Sequence, residues 1–276
     1  MPELPEAETI VRGLRPAIVG RTIRATEAIH LDVLRQPRRR FADRVRGRTV
    51  IGVERRGKNV LIRLDEDRVV AVNLGMTGRL LPVLEGGARP RDSSHPAVRF
   101  RFQGGGALVF DDTRRFGTVE CLSAAEWRER SLRMGPEPLE LSFTAEALHA
   151  SLAASRAPVR SWLLDQRKVA GVGNIYANEA LHRAGIHPER LARTVDRKHA
   201  GALHRGIRRV LQAAIDNGGT TIRDYRTASG DSGRYARRLR VYGRDGEPCG
   251  RCGSEIRRIV FGGRSAFFCP GCQPLR

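Results

Sequence analysis

Four cysteines near the end of the chain constrain it most. Cys249-Gly250-Arg251-Cys252 and Cys269-Pro270-Gly271-Cys272 make two C-x-x-C pairs with sixteen residues between them. That spacing fits a tetrahedral site in which four thiolates hold one zinc ion. Two disulfides are the alternative, but a reducing cytoplasm would not keep them. The intervening Ile256 to Phe268 carries Gly262-Gly263 near its middle, so it reads as a β-hairpin pinned by the metal, with Arg264 near its tip. Four thiolates leave no open coordination position, which makes this zinc structural. Cys121 stands apart from the two pairs and reads as buried.

Charge is the second constraint. The formal net charge is +20, which argues for a polyanionic partner, most simply DNA or RNA. Neither a basic amphipathic anchor nor an apolar run long enough to span a bilayer is evident. The N-terminus lacks a basic-then-apolar signal pattern, so a cytoplasmic location is expected. The basic residues are almost all arginine: of 50 Lys+Arg, only Lys58, Lys168 and Lys198 are lysine. Arginine cannot lose its proton near neutral pH, whereas a lysine amine can when its pKa is shifted. Lys58 is therefore a candidate for proton transfer, with chance survival of three lysines as the plain alternative.

The chain opens Met1-Pro2-Glu3-Leu4-Pro5-Glu6. Removal of Met1 would leave Pro2 as a rigid secondary amine able to attack an electrophilic carbon and form a Schiff base. Glu3 beside it can supply acid–base chemistry. Taken alone, the opening favours a plainer reading: a protected terminus and a proline that starts a helix.

At 276 residues there is room for about two domains. From Pro5 to about Ile18, Ala7, Ile10, Val11, Leu14 and Ile18 follow helical spacing. Eight short β-branched or alternating stretches then run from Thr22 to about Leu122 and predict a sandwich or barrel. Glu85 to Pro96 is rich in Gly, Pro and Ser and reads as a mobile loop. Two other loops place a bulky residue beside glycine: Leu74-Gly75-Met76-Thr77-Gly78 and Asp111-Asp112-Thr113-Arg114-Arg115-Phe116-Gly117. Met76 and Phe116 read first as core residues, yet apolar wedges of this kind can also enter a DNA stack. Gly135-Pro136-Glu137-Pro138 marks a boundary. Beyond it, Thr144–Ala153, Val159–Leu164, Ile175–Ala184 and Asp196–Asn217 read as helices. Gly171-Val172-Gly173-Asn174 predicts a glycine turn with Asn174 as N-cap, a weak signal for phosphate binding. Thr227–Gly233 reads as a flexible loop. Arg234–Arg244, with Tyr235 and Tyr242 interleaved among arginines, reads as a nucleic-acid face or a solvated one.

Taken together, the Pro2-Glu3-Leu4-Pro5-Glu6 opening, Arg56-Gly57-Lys58, the Met76 loop, Arg114-Arg115-Phe116-Gly117, Gly171 to Ala177 and the four cysteines resemble the formamidopyrimidine-DNA glycosylase/endonuclease VIII family of base-excision repair enzymes. The resemblance spans essentially the whole chain, and Leu4 and the Met76 loop look like its formamidopyrimidine branch. It implies an α+β multidomain protein. A catalytic antiparallel β-sandwich with flanking helices would occupy 1–135, a helix–two-turn–helix module 136–238, and a four-cysteine zinc finger 239–276. Pro2 would attack C1′ of the damaged nucleotide, Glu3 would assist as proton donor, Lys58 would help β-elimination and Arg264 δ-elimination. Met76, Arg114 and Phe116 would fill the space left by a flipped nucleotide. His95, Arg114, Arg156 and Asn174 would contact DNA, which would cross a cleft between the domains. The expected substrates are 8-oxoguanine and formamidopyrimidines opposite cytosine in double-stranded DNA. One structural Zn2+, a monomer and a bacterial, nucleoid-associated location complete the expectation.

Two departures stand out. Where the family often has two histidines, this chain has His95-Pro96-Ala97; where it has a lysine-rich segment, this chain has Ser155-Arg156-Ala157-Pro158-Val159-Arg160. A glycosylase for oxidised pyrimidines, and a non-catalytic zinc-ribbon protein that binds nucleic acid, are the alternatives.

Overall fold

The apolar spacing read between Pro5 and Ile18 is a helix, α1 (Leu4–Ile18), and Ala7, Ile10, Val11, Leu14 and Ile18 are its buried stripe. Residues 2–83, 94–222 and 225–275 are described, in a computed structural model of the chain. Most of the stretch expected as a mobile loop, 84–93, lies outside them. The chain forms two compact units: Met1–Arg133 with Asn217–Ala236, and Met134–Asp216 with Arg237–Arg276. No helix among the described residues is long and apolar enough to cross a membrane.

In the first unit all eight expected strands form: β1 (Ile23–Ala28), β2 (Val50–Arg56), β3 (Asn59–Leu64), β4 (Arg68–Asn73), β5 (Arg79–Val83), β6 (Pro96–Phe102), β7 (Ala107–Asp111) and β8 (Thr118–Ser123). They pair antiparallel as two four-stranded sheets, β1-β6-β7-β5 and β2-β3-β4-β8. The period of two decides which side chains share a face. Val60, Ile62 and Leu64 of β3 join the stripe of α1 in the main core, with Phe100 and Phe110 from the other sheet. Leu61 points the other way and meets Val69, Ala71, Leu122 and Trp127. Trp127 belongs to α3 (Ala124–Leu132), capped by Ser123, whose Oγ accepts the Glu126 N–H at 3.1 Å. α2 (Arg38–Val45) was not expected; only Phe41 and Val45 of it are buried.

The second unit holds α4 (Ala145–Ala153), α5 (Val159–Leu164), α6 (Asn174–Ala184) and α7 (Arg197–Asp216), then β9 (Arg257–Phe261) and β10 (Arg264–Phe268). α6 and α7 pack closely because Gly206 faces α6: a Cβ there would lie 3.1 Å from the Ala180 carbonyl oxygen. β9 and β10 form the expected hairpin. Gly262 and Gly263 join them with φ of 58° and 70°, the paired left-handed conformations of a two-residue turn.

Candidate functional site

Pro2 and Glu3, both buried, lie just before α1, with Glu3 as its N-cap. Glu6 fixes the first turn. One of its carboxylate oxygens accepts the Glu3 N–H at 2.8 Å, and the other accepts the Thr220 N–H at 2.7 Å. The Tyr225 hydroxyl donates to the Gly218 carbonyl at 3.2 Å beneath the same turn. Burial, and then the Glu6 carboxylate, push the Tyr225 phenol well above its ordinary pKa. Thr220 and Tyr225 thus bind the chain's opening to a segment more than two hundred residues later, within one unit.

Lys58 sits on the turn between β2 and β3. Arg55 locks that turn to α1: its Nε donates to Glu8 Oε2 at 3.2 Å and its Nη1 to the Gly57 carbonyl at 3.0 Å. A second relay reaches the Met76 loop. Asn59 Nδ2 donates to the Arg56 carbonyl, Asn73 Nδ2 donates to Asn59 Oδ1, and the Gly75 N–H donates to Asn73 Oδ1, each at 3.1 Å. Asn59 and Asn73 are cross-strand partners, which is why the relay can form. The Lys58 turn is thereby tied both to α1, through Glu8, and to the Met76 loop, through the Asn59–Asn73 pair.

Met76 and Phe116 are not core residues. Their side chains stand out at 39% and 57% exposure, although each flanking loop is held from below. Asp112, only 1% exposed, collects the donors of both loops. Its Oδ1 accepts the Thr77 hydroxyl at 2.5 Å and the Arg114 N–H at 3.3 Å; its Oδ2 accepts the Gly117 N–H at 2.8 Å. The loops also touch backbone to backbone. A Cβ on Gly75, whose φ is 58°, would lie 2.5 Å from Gly117 N, so only glycine fits. The Arg114 guanidinium lies over the Phe116 ring, 4.6 Å from its centroid. His95 is exposed beside them; its N–H donates to Asp111 Oδ2 at 2.7 Å, and its Nδ1 lies 3.3 Å from Thr113 Oγ1.

In the second unit Asn174 is the first residue of α6 and Gly173 is its N-cap, so Asn174 does not cap the helix as expected. Its side chain is drawn elsewhere: Nδ2 donates to the Ser265 carbonyl at 3.1 Å, and Oδ1 accepts from Arg160 Nη2 at 2.6 Å. Arg160, 1% exposed, also donates to the Ser265 carbonyl at 2.8 Å. Asn174 is thereby joined to the residue after Arg264, which stands exposed at the hairpin tip as expected. Burial, and then the Arg264 charge, lower the Arg160 pKa. Arg156 is exposed on the turn before α5 and joins none of these bonds. Tyr235 is buried, and Tyr242 packs against Phe267 at 5.1 Å between ring centroids, so neither ring is freely displayed among the arginines. Within Thr227–Gly233 the Thr227 N–H donates to the Asp231 carbonyl at 2.9 Å, which closes a turn.

The four cysteine sulfurs lie within 4.8 Å of one another. Cys252 and Cys269 are 3.3 Å apart and Cys249 and Cys272 3.9 Å, too far for disulfides. Zn–S bonds of about 2.3 Å place tetrahedral sulfurs about 3.8 Å apart, so the set fits one zinc ion. Asp112, Thr77, Arg160 and the Asn59–Asn73 pair gave no sign of their roles in the sequence, because a buried polar hub is spelled with the same residues as a solvated surface; Glu6 did, three residues after Glu3 at capping-box spacing.

Three family models match. Residues 1–119 match the formamidopyrimidine-DNA glycosylase N-terminal domain, 134–226 its H2TH domain, and 246–275 the zinc finger found in FPG and IleRS. Cys249, Cys252, Cys269 and Cys272 thus form a structural zinc site. The formamidopyrimidine-DNA glycosylase of Paracoccus denitrificans is 43% identical over 282 residues, covering 99% of this chain and 100% of that protein. That of Rhizorhabdus wittichii is 44% identical over 276 residues, covering 99% and 100%. The crystal structure of the MutM (Fpg) protein of Thermus thermophilus superposes with a TM-score of 0.89 at 39% identity, covering 100% of both chains. A Lactococcus lactis Fpg mutant in complex with Fapy-dG-containing DNA gives 0.91 at 34% identity, covering 99% of this chain and 100% of that one. With these models and full-length likenesses resting on the geometry above, the chain belongs to the formamidopyrimidine-DNA glycosylase family.

Proposed function

We propose that this protein is a bifunctional DNA glycosylase and AP lyase that removes oxidised purines from duplex DNA. The observation that carries the reading is the buried N-terminal turn, where Glu6 holds Glu3 beside Pro2 and Arg55 ties the Lys58 turn to the same helix. Once Met1 is removed, the Pro2 amine attacks C1′ of the damaged nucleotide. The C1′–base bond breaks and the base departs with its electron pair, taking up the proton that the Pro2 nitrogen sheds. Glu3 protonates the sugar ring oxygen as the ring opens, leaving an iminium between Pro2 and C1′. Lys58 assists loss of the C2′ proton and the 3′ phosphate in β-elimination, and Arg264 steadies the phosphate lost in δ-elimination. Zinc takes no step; it presents the hairpin.

Met76, Arg114 and Phe116 occupy the gap left by the flipped nucleotide, and extrusion costs a few kcal/mol that their entry offsets. Arg114, all donors, matches the acceptors of an orphaned cytosine. His95, Arg114, Asn174 and Arg156 contact the DNA. The working division is a catalytic part at 1–135, a helix–two-turn–helix part at 136–238 and the zinc finger at 239–276. The protein acts as a monomer in the cytoplasm, at the nucleoid.

One neighbour supports a wider substrate range: Lactococcus lactis Fpg has been crystallised with DNA containing an oxidised pyrimidine. Borohydride trapping tests both points. With 8-oxoguanine opposite cytosine, the adduct is expected on Pro2, and Pro2→Gly is expected to abolish or redirect it. An adduct on Lys58 would overturn the nucleophile. Faster trapping on thymine glycol than on 8-oxoguanine would move the protein to oxidised pyrimidines.

A further inference from the structure

The zinc module is docked onto the C-terminal end of α6 by contacts that metal ligation does not require. Arg251, between the first two ligands, donates through Nη1 to the His182 carbonyl at 3.5 Å and through Nη2 to the Arg183 carbonyl at 3.4 Å. Both carbonyls lie at the C-terminal end of α6, where a cation is favoured. Gln273, next to the last ligand, donates to the Ile186 carbonyl at 2.7 Å. Gly185 permits the approach, since a Cβ there would sit 3.3 Å from the Cys272 carbonyl oxygen.

One side chain of α6 goes further and reaches a ligand atom. His182 Nε2 lies 3.5 Å from Cys249 Sγ, an N–H···S distance, and His182 is buried. Four thiolates around one divalent ion carry excess negative charge, and each N–H aimed at a sulfur disperses some of it. The knuckles supply such donors from their own backbone: the Arg251 N–H reaches Cys249 Sγ at 3.5 Å and the Cys272 N–H reaches Cys269 Sγ at 3.4 Å. His182 supplies one from outside the knuckles, on the helix whose other end carries Asn174.

We propose that His182 is a positioning residue for the zinc site: its Nε2–H donates to the Cys249 thiolate, slows loss of the metal, and makes zinc occupancy and the placement of α6 a single cooperative state. An imidazole so used must carry its proton on Nε2. A phenylalanine would fill the same space with no donor, whereas a glutamine amide could still donate.

The test uses full-length, zinc-loaded protein challenged with excess 4-(2-pyridylazo)resorcinol, with zinc transfer followed by absorbance. His182→Phe is expected to release zinc about ten-fold faster, the lower end of what loss of an outer partner costs a metal site. His182→Gln is expected to remain within about two-fold of the parent. In cobalt-substituted protein the sulfur-to-metal charge-transfer band is expected to shift in His182→Phe and to stay in place in His182→Gln. Should His182→Phe fail to fold, His182→Met removes the donor with a more adaptable side chain and is read the same way. Unchanged release in the donor-less variant overturns the proposal. So does equal acceleration in His182→Gln and His182→Phe when both keep the parental circular dichroism, because the residue would then act by packing alone.

Discussion

Two buried charges of opposite sign hold the exposed residues of the two units, and they are satisfied differently. Asp112 in the first unit accepts one hydroxyl and two backbone N–H donors, drawn from both loops that display Met76 and Phe116. Among the described residues, Arg160 in the second donates to the neutral oxygens of Asn174 and Ser265 and lies over the Phe261 ring, 4.8 Å from its centroid; its Nε is buried there without a hydrogen-bond partner, and the charge that acts on it most is that of another arginine, Arg264. A buried ion left without a counter-ion is costly. The Met76–Phe116 wedge therefore has its donors and acceptors matched internally, whereas the Asn174–Arg264 corner holds two arginines with no carboxylate partner among the described residues, and an anion is expected to complete it. On this view Asp112 acts through shape and Arg160 through charge, and mutations separate the two.

The larger effect is expected at Asp112. Asp112→Ala releases three donors at once and lets the two loops drift apart. A misplacement of about 1 Å can cost about a hundred-fold in rate, and excision of 8-oxoguanine from a fully paired duplex is expected to fall by about that factor. When the lesion sits in an unpaired bubble, extrusion is already done and most of the activity should return. Asp112→Asn keeps one oxygen for Thr77 and Arg114 but turns an amide donor toward the Gly117 N–H, so an intermediate loss is expected. Equal losses on duplex and bubble would show that Asp112 supports the fold in general rather than the wedge.

Arg160→Met comes next. It removes the buried charge and its two hydrogen bonds, to Asn174 Oδ1 and the Ser265 carbonyl, and hydrogen bonds to charged groups are worth about 1.5–3 kcal/mol. DNA affinity is expected to fall about ten-fold or more, since about 1.4 kcal/mol is a factor of ten. The slope of log K against log salt should become shallower by about 0.9, the value for one phosphate. Asp112→Ala should leave that slope unaltered. A weakened Arg160→Met with the parental slope would break the contrast, because Arg160 would then act through shape as well.

These hubs also mark where the sequence stopped being legible. α1 and the eight strands were readable because apolar residues recur at the period of the element, and the zinc site because ligand spacing is itself the signal. α2 was not, since Arg38-Arg39-Arg40-Phe41-Ala42-Asp43-Arg44-Val45 offers two apolar residues and reads as solvated charge. α3 buries Trp127 alone, although its Ser123–Glu126 capping box was there to be read. Asn174 looked like an N-cap because asparagine after a glycine turn usually is one; the competing partners, Arg160 and Ser265, lie 14 and 91 residues away along the chain. In a chain with 29% charged residues, nothing local distinguishes Asp112 or Arg160 from its exposed neighbours.

The smallest expected effect tests whether the first unit uses an ionised acceptor twice. Glu6, like Asp112, is buried and accepts backbone donors from two separate stretches, Glu3 and Thr220. Tyr225 lies against it and reports its charge, because burial and then the Glu6 carboxylate raise the phenol pKa. Tyr225→Phe removes the bond to the Gly218 carbonyl and is expected to cost about 1 kcal/mol near neutral pH. The pH dependence carries the sign. The unfolded phenol loses its proton near pH 10, while the folded one keeps it to higher pH. The native state therefore binds more protons above about pH 10, and the parent loses stability as pH rises through that point. Tyr225→Phe lacks this titration. In denaturant unfolding at about pH 8 and about pH 11, its deficit against the parent should shrink and then reverse. A deficit that stays constant across this range would mean that the phenol titrates as it does in water, and that Glu6 is not the charged partner that Asp112 is.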